Sequence, residues 1–131
     1  DIEILNNRNL FFTVSNCVNR YIENIVKKED VSVYAMLDKD YINENRITAQ
    51  NIWNYVDKFS TKQVFTARRI HLTELDNYHS IFYVYGTVRE DKEEQMTKES
   101  DFYITVKLDY ENSIFSIIPF EYPKEQIGNM K

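Results

Sequence analysis

Phe102-Tyr103-Ile104-Thr105-Val106-Lys107-Leu108 alternates without a break, with Phe102, Ile104, Val106 and Leu108 on one parity and Tyr103, Thr105 and Lys107 on the other. A period of two held over seven residues marks a strand with one face in a core. The second half of the chain is therefore read as sheet. Residues 80–90 alternate as well, with Ile81, Tyr83, Tyr85 and Thr87 on one face and Phe82, Val84, Gly86 and Val88 on the other. Both faces are largely apolar or aromatic, which fits a central strand covered on each side. Helices are expected to supply one cover, and a ligand or a second subunit the other.

Working outward, residues 63–75 read as a strand whose parity changes along its length. Phe65 and Ala67 face one way, whereas Ile70 and Leu72 continue on the other parity, so the switch at Arg68 and Arg69 predicts a bulge that bends the sheet. Asp76 and Asn77 form the turn to the next strand. Residues 89–101 carry three basic and six acidic side chains and read as a solvated hairpin connection. The turn at 109–113 returns into a last strand at 114–120, and Pro119, which has no N–H to donate, marks the end of pairing. From Pro123 onward the tail is polar and expected to fray.

The first half has a different period. Phe11, Val14, Val18, Tyr21, Ile22 and Ile25 recur at intervals of three and four, the stripe of a long amphipathic helix. Asn6 or Asn7 is placed to cap it, and Lys27 and Lys28 suit the negative end of its dipole. A short helix over 31–38 follows, with Asp30 as its cap, and Tyr41 and Ile42 lead into a turn. Thr48 is the expected cap of a third helix carrying Ile52, Trp53, Tyr55, Val56 and Phe59. The expected fold is α+β in one domain, with three N-terminal helices packed on a curved four-stranded antiparallel sheet. The long helix occupies 6–28, the two short helices 31–59, the sheet 62–121 and the tail 122–131.

Composition excludes several classes of function. The chain has 131 residues, 43% of them apolar, with ten Tyr and eight Phe, enough to build one core and still line a cleft. Two Gly and two Pro leave no room for a Gly-rich phosphate loop or a long linker. A net charge of −5 opposes attraction to nucleic acid or anionic lipid, so neither is an expected partner. No apolar run reaches the roughly 18 residues of a membrane span. The sequence starts at Asp1, ahead of a helix, which raises the expectation of an N-terminal signal or anchor upstream. The lone Cys17 lies on the apolar stripe of the first helix and is read as a buried thiol.

Chemical motifs are sparse. His71 and His79 are the only histidines and have no Cys or carboxylate set at metal-ligand spacing, so neither a metal nor a cofactor is expected. His79 lies in a polar turn, whereas His71 lies on a strand. A serine or cysteine nucleophile lacks the Gly-flanked turn and partner base it needs. Proton abstraction by a buried carboxylate would fall to Asp57 or Asp101, with Tyr83, Tyr85 and Tyr103 as hydroxyl donors. Arg68 and Arg69, on a strand beside Tyr83 and Tyr85, suit an anion or a stacked partner. The candidate ligand or interface residues are therefore Arg68, Arg69, His71, Tyr83, Tyr85 and Tyr103. None is assigned a catalytic role.

One long helix, two short helices and four antiparallel strands in that order resemble the cystatin-like cone of the nuclear transport factor 2-like superfamily, which includes ketosteroid isomerase relatives. The segment Val33-Tyr34-Ala35-Met36-Leu37-Asp38-Lys39-Asp40-Tyr41, followed by Ile47-Thr48, is similar to the second-helix pattern of extracytoplasmic, membrane-anchored members from Gram-positive bacteria. A related architecture is the soluble domain of the bridging subunit of conjugative and type IV secretion channels. The resemblance implies a binding or assembly domain with protein partners or self-association, held outside the cytoplasm by an N-terminal anchor. A small-molecule-binding or isomerase-like enzyme using the cone pocket, with a small apolar ligand, is the alternative function, and the cytoplasm is the alternative location.

Overall fold

The computed structural model describes residues 1–90 and 98–127, so much of the expected acidic connection and the last four residues lie outside the described residues. The chain forms an α+β fold in which β1 (Glu3–Ile4), α1 (Arg8–Val26), α2 (Asp30–Met36) and α3 (Lys39–Asn45) precede a 3₁₀ turn at Ile52–Asn54. There follow β2 (Gln63–Glu74), β3 (His79–Glu90), β4 (Ser100–Asp109), β5 (Ile114–Ile118) and α4 (Lys124–Ile127). The five strands pair antiparallel in the order β1-β2-β3-β4-β5.

Helix α1 begins where its cap places it: the Asn7 side chain accepts from the Leu10 N–H at 3.1 Å. It ends in a Schellman arrangement, with Glu29 N–H donating to the Asn24 carbonyl and Lys28 N–H to the Ile25 carbonyl, while Lys28 takes φ 59°. Its apolar stripe, Val14, Cys17, Val18, Tyr21, Ile22 and Ile25, is buried. That stripe meets the strand residues Phe65, Ile70, Phe82, Val84, Phe102, Ile104, Val106 and Leu108 in one core. Each such side chain contributes roughly 1.5–3 kcal/mol when fully buried.

The bulge lies between Ala67 and Arg69, where Ala67 pairs with Gly86, Arg69 with Tyr85, and Arg68 has no counterpart in the ladder. The extra residue carries the strand's apolar side chains from odd to even positions without leaving the core, so Phe65 and Ile70 are both buried. Next to the bulge the Phe65 ring lies over Gly86. A Cβ there would stand 2.6 Å from that ring and press on the Thr66 carbonyl.

The structure corrects three expectations. Among the described residues the sheet has five strands rather than four, because Glu3 and Ile4 pair with Leu72 and His71 at the β2 edge. Two residues are too few to show a period. The third α-helix lies at Lys39–Asn45, over the Tyr41–Ile42 turn expected there, and not at 48–59. Asp38 caps it by accepting from the Tyr41 N–H at 3.2 Å, and Arg46 closes it at φ 51°. Thr48 does bond the Asn51 N–H, but it closes a single turn, since the Asn51 side chain accepts from the Thr48 N–H in return. Farther on, the Asp57 N–H donates to the Tyr21 hydroxyl, which removes it from any helical ladder. Finally, the tail from Pro123 is not frayed over its described part: it forms α4, and Ile127 is fully buried.

Candidate functional site

The register divides the sheet's side chains into two sets. One faces the helices. On the other, outer face lie Arg69, His71 and Thr73 of β2, which pair with Tyr85, Tyr83 and Ile81 of β3, and these in turn pair with Tyr103, Thr105 and Lys107 of β4. Five of the six candidate residues thus come together on one surface: Arg69, His71, Tyr83, Tyr85 and Tyr103. Arg68, at the bulge, forms an ion pair with Glu99 at 3.6 Å, both side chains about half exposed.

The tyrosines make a continuous aromatic layer. Tyr85 and Tyr103 have ring centroids 5.0 Å apart at 33°, and the Tyr85 hydroxyl donates to Asp101 at 3.1 Å. Tyr122, which follows β5, sets its ring edgewise 4.7 Å from Tyr103 and 6.2 Å from Tyr83. Lys124 places its ammonium 4.1 Å above the Tyr103 ring, and the Thr105 hydroxyl donates to the Glu121 carbonyl. The second cover of β3 is therefore the chain's own C-terminal segment. Tyr122 and Ile127 were missed in the sequence, where Tyr122, Pro123 and Ile127 stand at the spacing of a hydrophobic staple around a helix start, the one signal that would have found them.

Among the described residues some buried polar atoms here lack partners. His71 is fully buried, and neither of its ring nitrogens has a hydrogen-bond partner, nor does the Tyr122 hydroxyl. Burial, and then the Arg69 charge, lower the His71 pKa and favour the neutral imidazole. Burial, with Tyr103 and Tyr85 close by, pushes the Tyr122 hydroxyl up to about 12.

On the helix side, the Phe102 ring packs edgewise against Phe59 at 5.6 Å and Phe65 at 5.8 Å. A cavity of about 300 Å³ opens at the rim, lined by Ile25, Lys28, Trp53, Asp57, Lys58 and Phe59 among others. Asp57 accepts from the Tyr21 hydroxyl at 2.8 Å, and burial raises its pKa. Lys28 lies 5.4 Å over the Trp53 ring. Asp101 is exposed and accepts from the Tyr85 hydroxyl.

Cys17 is buried, which pushes its thiol up to about 11, against any nucleophilic role. His79 bonds the Asp76 carboxylate at 2.9 Å in an exposed turn. Among the described residues no group of three or more His, Cys, Asp or Glu is placed to hold a metal, and no helix is long and apolar enough to cross a membrane. No protein-family model matches the sequence, and no curated protein matches it either.

Proposed function

We propose that this domain acts by docking protein partners, or further copies of itself, on the outer face of its sheet, and that it is not an enzyme. The observation that carries this reading is the aromatic layer of Tyr83, Tyr85 and Tyr103 beside Arg69, already covered in part by a peptide segment, the chain's own. Tyr and Arg are the residues that dominate protein interfaces, because each offers a large rigid contact with a polar end. The fold that best accounts for helices on one face of a bulged antiparallel sheet is the cystatin-like cone of the nuclear transport factor 2-like superfamily. Within it, the pattern at Val33–Tyr41 supports an extracytoplasmic, membrane-anchored bacterial protein of a conjugation or secretion system.

The test is photo-crosslinking in the native cell. A photo-reactive phenylalanine analogue in place of Tyr85 in the full-length protein is expected to give discrete protein adducts, and the same analogue at the exposed Glu44 is expected to give none. Equal labelling at both positions, or none at Tyr85, removes the reading. Fractionation of the same cells tests the anchor: the full-length protein belongs with the membranes.

A second reading is favoured by the rim cavity, where a half-buried carboxyl, two lysines and two aromatic rings converge. It would take a small aromatic carboxylate, with its ring against Trp53 and Phe59 and its charge toward Lys28 and Lys58. Trp53 is the chain's one tryptophan, so its fluorescence reports occupancy directly. An emission unchanged by millimolar benzoate and its homologues rules this out.

A further inference from the structure

We propose that the C-terminal arm, residues 119–127, exchanges between two copies of this chain, so that Tyr83, Tyr103 and Thr105 of one copy form the docking surface for Tyr122, Lys124 and Ile127 of the other. This deepens the docking reading and rests on it. The occupant is named by the structure, which already seats this segment on this surface: Tyr122 against Tyr83 and Tyr103, Lys124 over Tyr103, and the Glu121 carbonyl on the Thr105 hydroxyl.

The hinge explains why the arm exchanges. Pro119 and Phe120 turn the chain back after β5, and Phe120 takes φ 64° and is 65% exposed. Pro followed by a residue of positive φ is the arrangement of a type II turn, whose second central position belongs to Gly or Asn. Among the described residues the other non-glycine positions with positive φ, Lys28, Arg46 and Ser113, close helices or sit in a hairpin turn, where that conformation is common. A phenylalanine there is strained.

Straightening Phe120 releases the strain and carries the arm away from its own sheet. Short strained hinges favour exchange between protomers, because the exchanged form keeps the arm's contacts and sheds the strain, which offsets part of the entropy cost of association. The arm's seat on its own sheet also carries one uncompensated cost, a Tyr122 hydroxyl buried without a partner, which lowers the barrier to opening.

The experiment combines light scattering across a concentration series with mixed-disulfide trapping. Wild-type protein is expected to be a concentration-dependent dimer. Phe120→Gly, which accepts positive φ without cost, is expected to weaken the dimer about tenfold, and Phe120→Val, whose β-branch rejects it, to strengthen it by a similar factor. Separately, one copy carrying Thr105→Cys and another carrying Glu121→Cys are expected to form a mixed disulfide on co-incubation under mild oxidation. These trapping variants leave the hinge intact, so a folding defect in either Phe120 variant does not decide the outcome. Monomers at every concentration with no mixed disulfide, or a shift of both Phe120 variants in the same direction, overturn the exchange. If adducts at Tyr85 persist in cells while exchange fails, docking of other proteins stands; if both fail, the docking reading goes with it.

Discussion

The Tyr21 hydroxyl stands 2.8 Å from a carboxylate oxygen of Asp57 and 3.1 Å from the Asp57 amide nitrogen, so one phenol on α1 holds both the side chain and the backbone of the segment that leads into the sheet. Tyr21 is fully buried, and burial together with the Asp57 charge raises its pKa well above the ordinary value. The hydroxyl therefore remains a donor to the carboxylate throughout the working pH range.

Tyr21→Phe removes both bonds at once while keeping the ring. A hydrogen bond to a charged group contributes about 1.5–3 kcal/mol, and a partner left buried adds its own desolvation cost. The expected loss at pH 7 is about 2–3 kcal/mol, read from the urea midpoint with the m-value unchanged. A loss below about 0.5 kcal/mol, the level of an ordinary surface change, would mean that water replaces the phenol freely.

Asp57 itself is expected to weaken the fold at neutral pH. Its folded pKa lies above its unfolded one, so its protonated form is favoured by folding. The stability this gives is complete below the unfolded value near 3.8 and is lost as pH rises through the folded pKa. Asp57→Asn keeps an acceptor for Tyr21 without a charge, and should be more stable than wild type at pH 7 but not at pH 3. Urea titrations at the two pH values check this, and an equal difference at both would reject it.

His71 has the opposite sign. Its folded pKa is lowered by burial and by Arg69, so its stabilising contribution is full above the unfolded value near 6.5 and is lost as pH falls through the window down to the folded pKa. Among the described residues no carboxylate pairs with it: Arg69 shares its strand face, Tyr83 pairs with it from β3, Ile4 pairs with it from β1, Tyr122 packs on Tyr83 from the arm, and the Glu121 charge acts on Tyr83. His71→Leu removes two unpartnered nitrogens and is expected to be at least as stable as wild type at pH 7, and clearly more stable at pH 5. Thermal melts between pH 5 and 8 should show a flatter profile for the variant. An unchanged acid slope would assign that slope to other groups.

Much of this arrangement could be read from residue order, and the missed parts share a cause. Periodicity reports one strong partner at a time, so the α1 stripe and the alternation at Phe102–Leu108 were legible, as was the parity switch that marks the bulge at Arg68. The bulge also explains why Arg69, His71, Tyr83, Tyr85 and Tyr103 share a face, although sequence alone did not show which side that face takes. The third helix was misplaced because Thr48 carries a true capping signal that the Tyr21–Asp57 bond, formed across 36 residues, overrides downstream. The arm reads in sequence as a polar tail because its two apolar anchors, Tyr122 and Ile127, stand among polar and charged residues and gain meaning only from burial in the fold.

Gly86 follows from the same bulge. With the Phe65 ring and the Thr66 carbonyl occupying the space of a side chain, Gly86→Ala forces β2 and β3 apart at the center of the sheet. Overpacking of this kind costs about 1–3 kcal/mol. Phe65→Leu frees part of that space, so the double variant should lose less than the sum of the single losses, a coupling that a double-mutant cycle measures. Strict additivity would place the strain elsewhere.

The last prediction concerns the edge where α3 meets the sheet. Leu37 pairs with Ile117, and the Asp38 N–H donates to the Ile117 carbonyl at 2.9 Å, which seats Asp38 against β5 with its carboxylate 3.3 Å from the Lys107 ammonium. The Lys107 and Asp38 side chains are 15% and 10% exposed, whereas Asp40, 3.4 Å from the same ammonium, is 75% exposed. Lys107→Met would leave the Asp38 carboxylate buried without its cation, and breaking such a pair from one side costs about 3–5 kcal/mol when burial is complete. With the residual exposure here, about 2–3 kcal/mol is expected, while Asp40→Ala should cost less than about 1 kcal/mol, as exposed ion pairs do. Lys107→Met combined with Asp38→Asn should recover most of the loss, because the amide still accepts from the Tyr41 N–H that starts α3. Equal losses for Lys107→Met and Asp40→Ala would show that solvent screens both pairs alike.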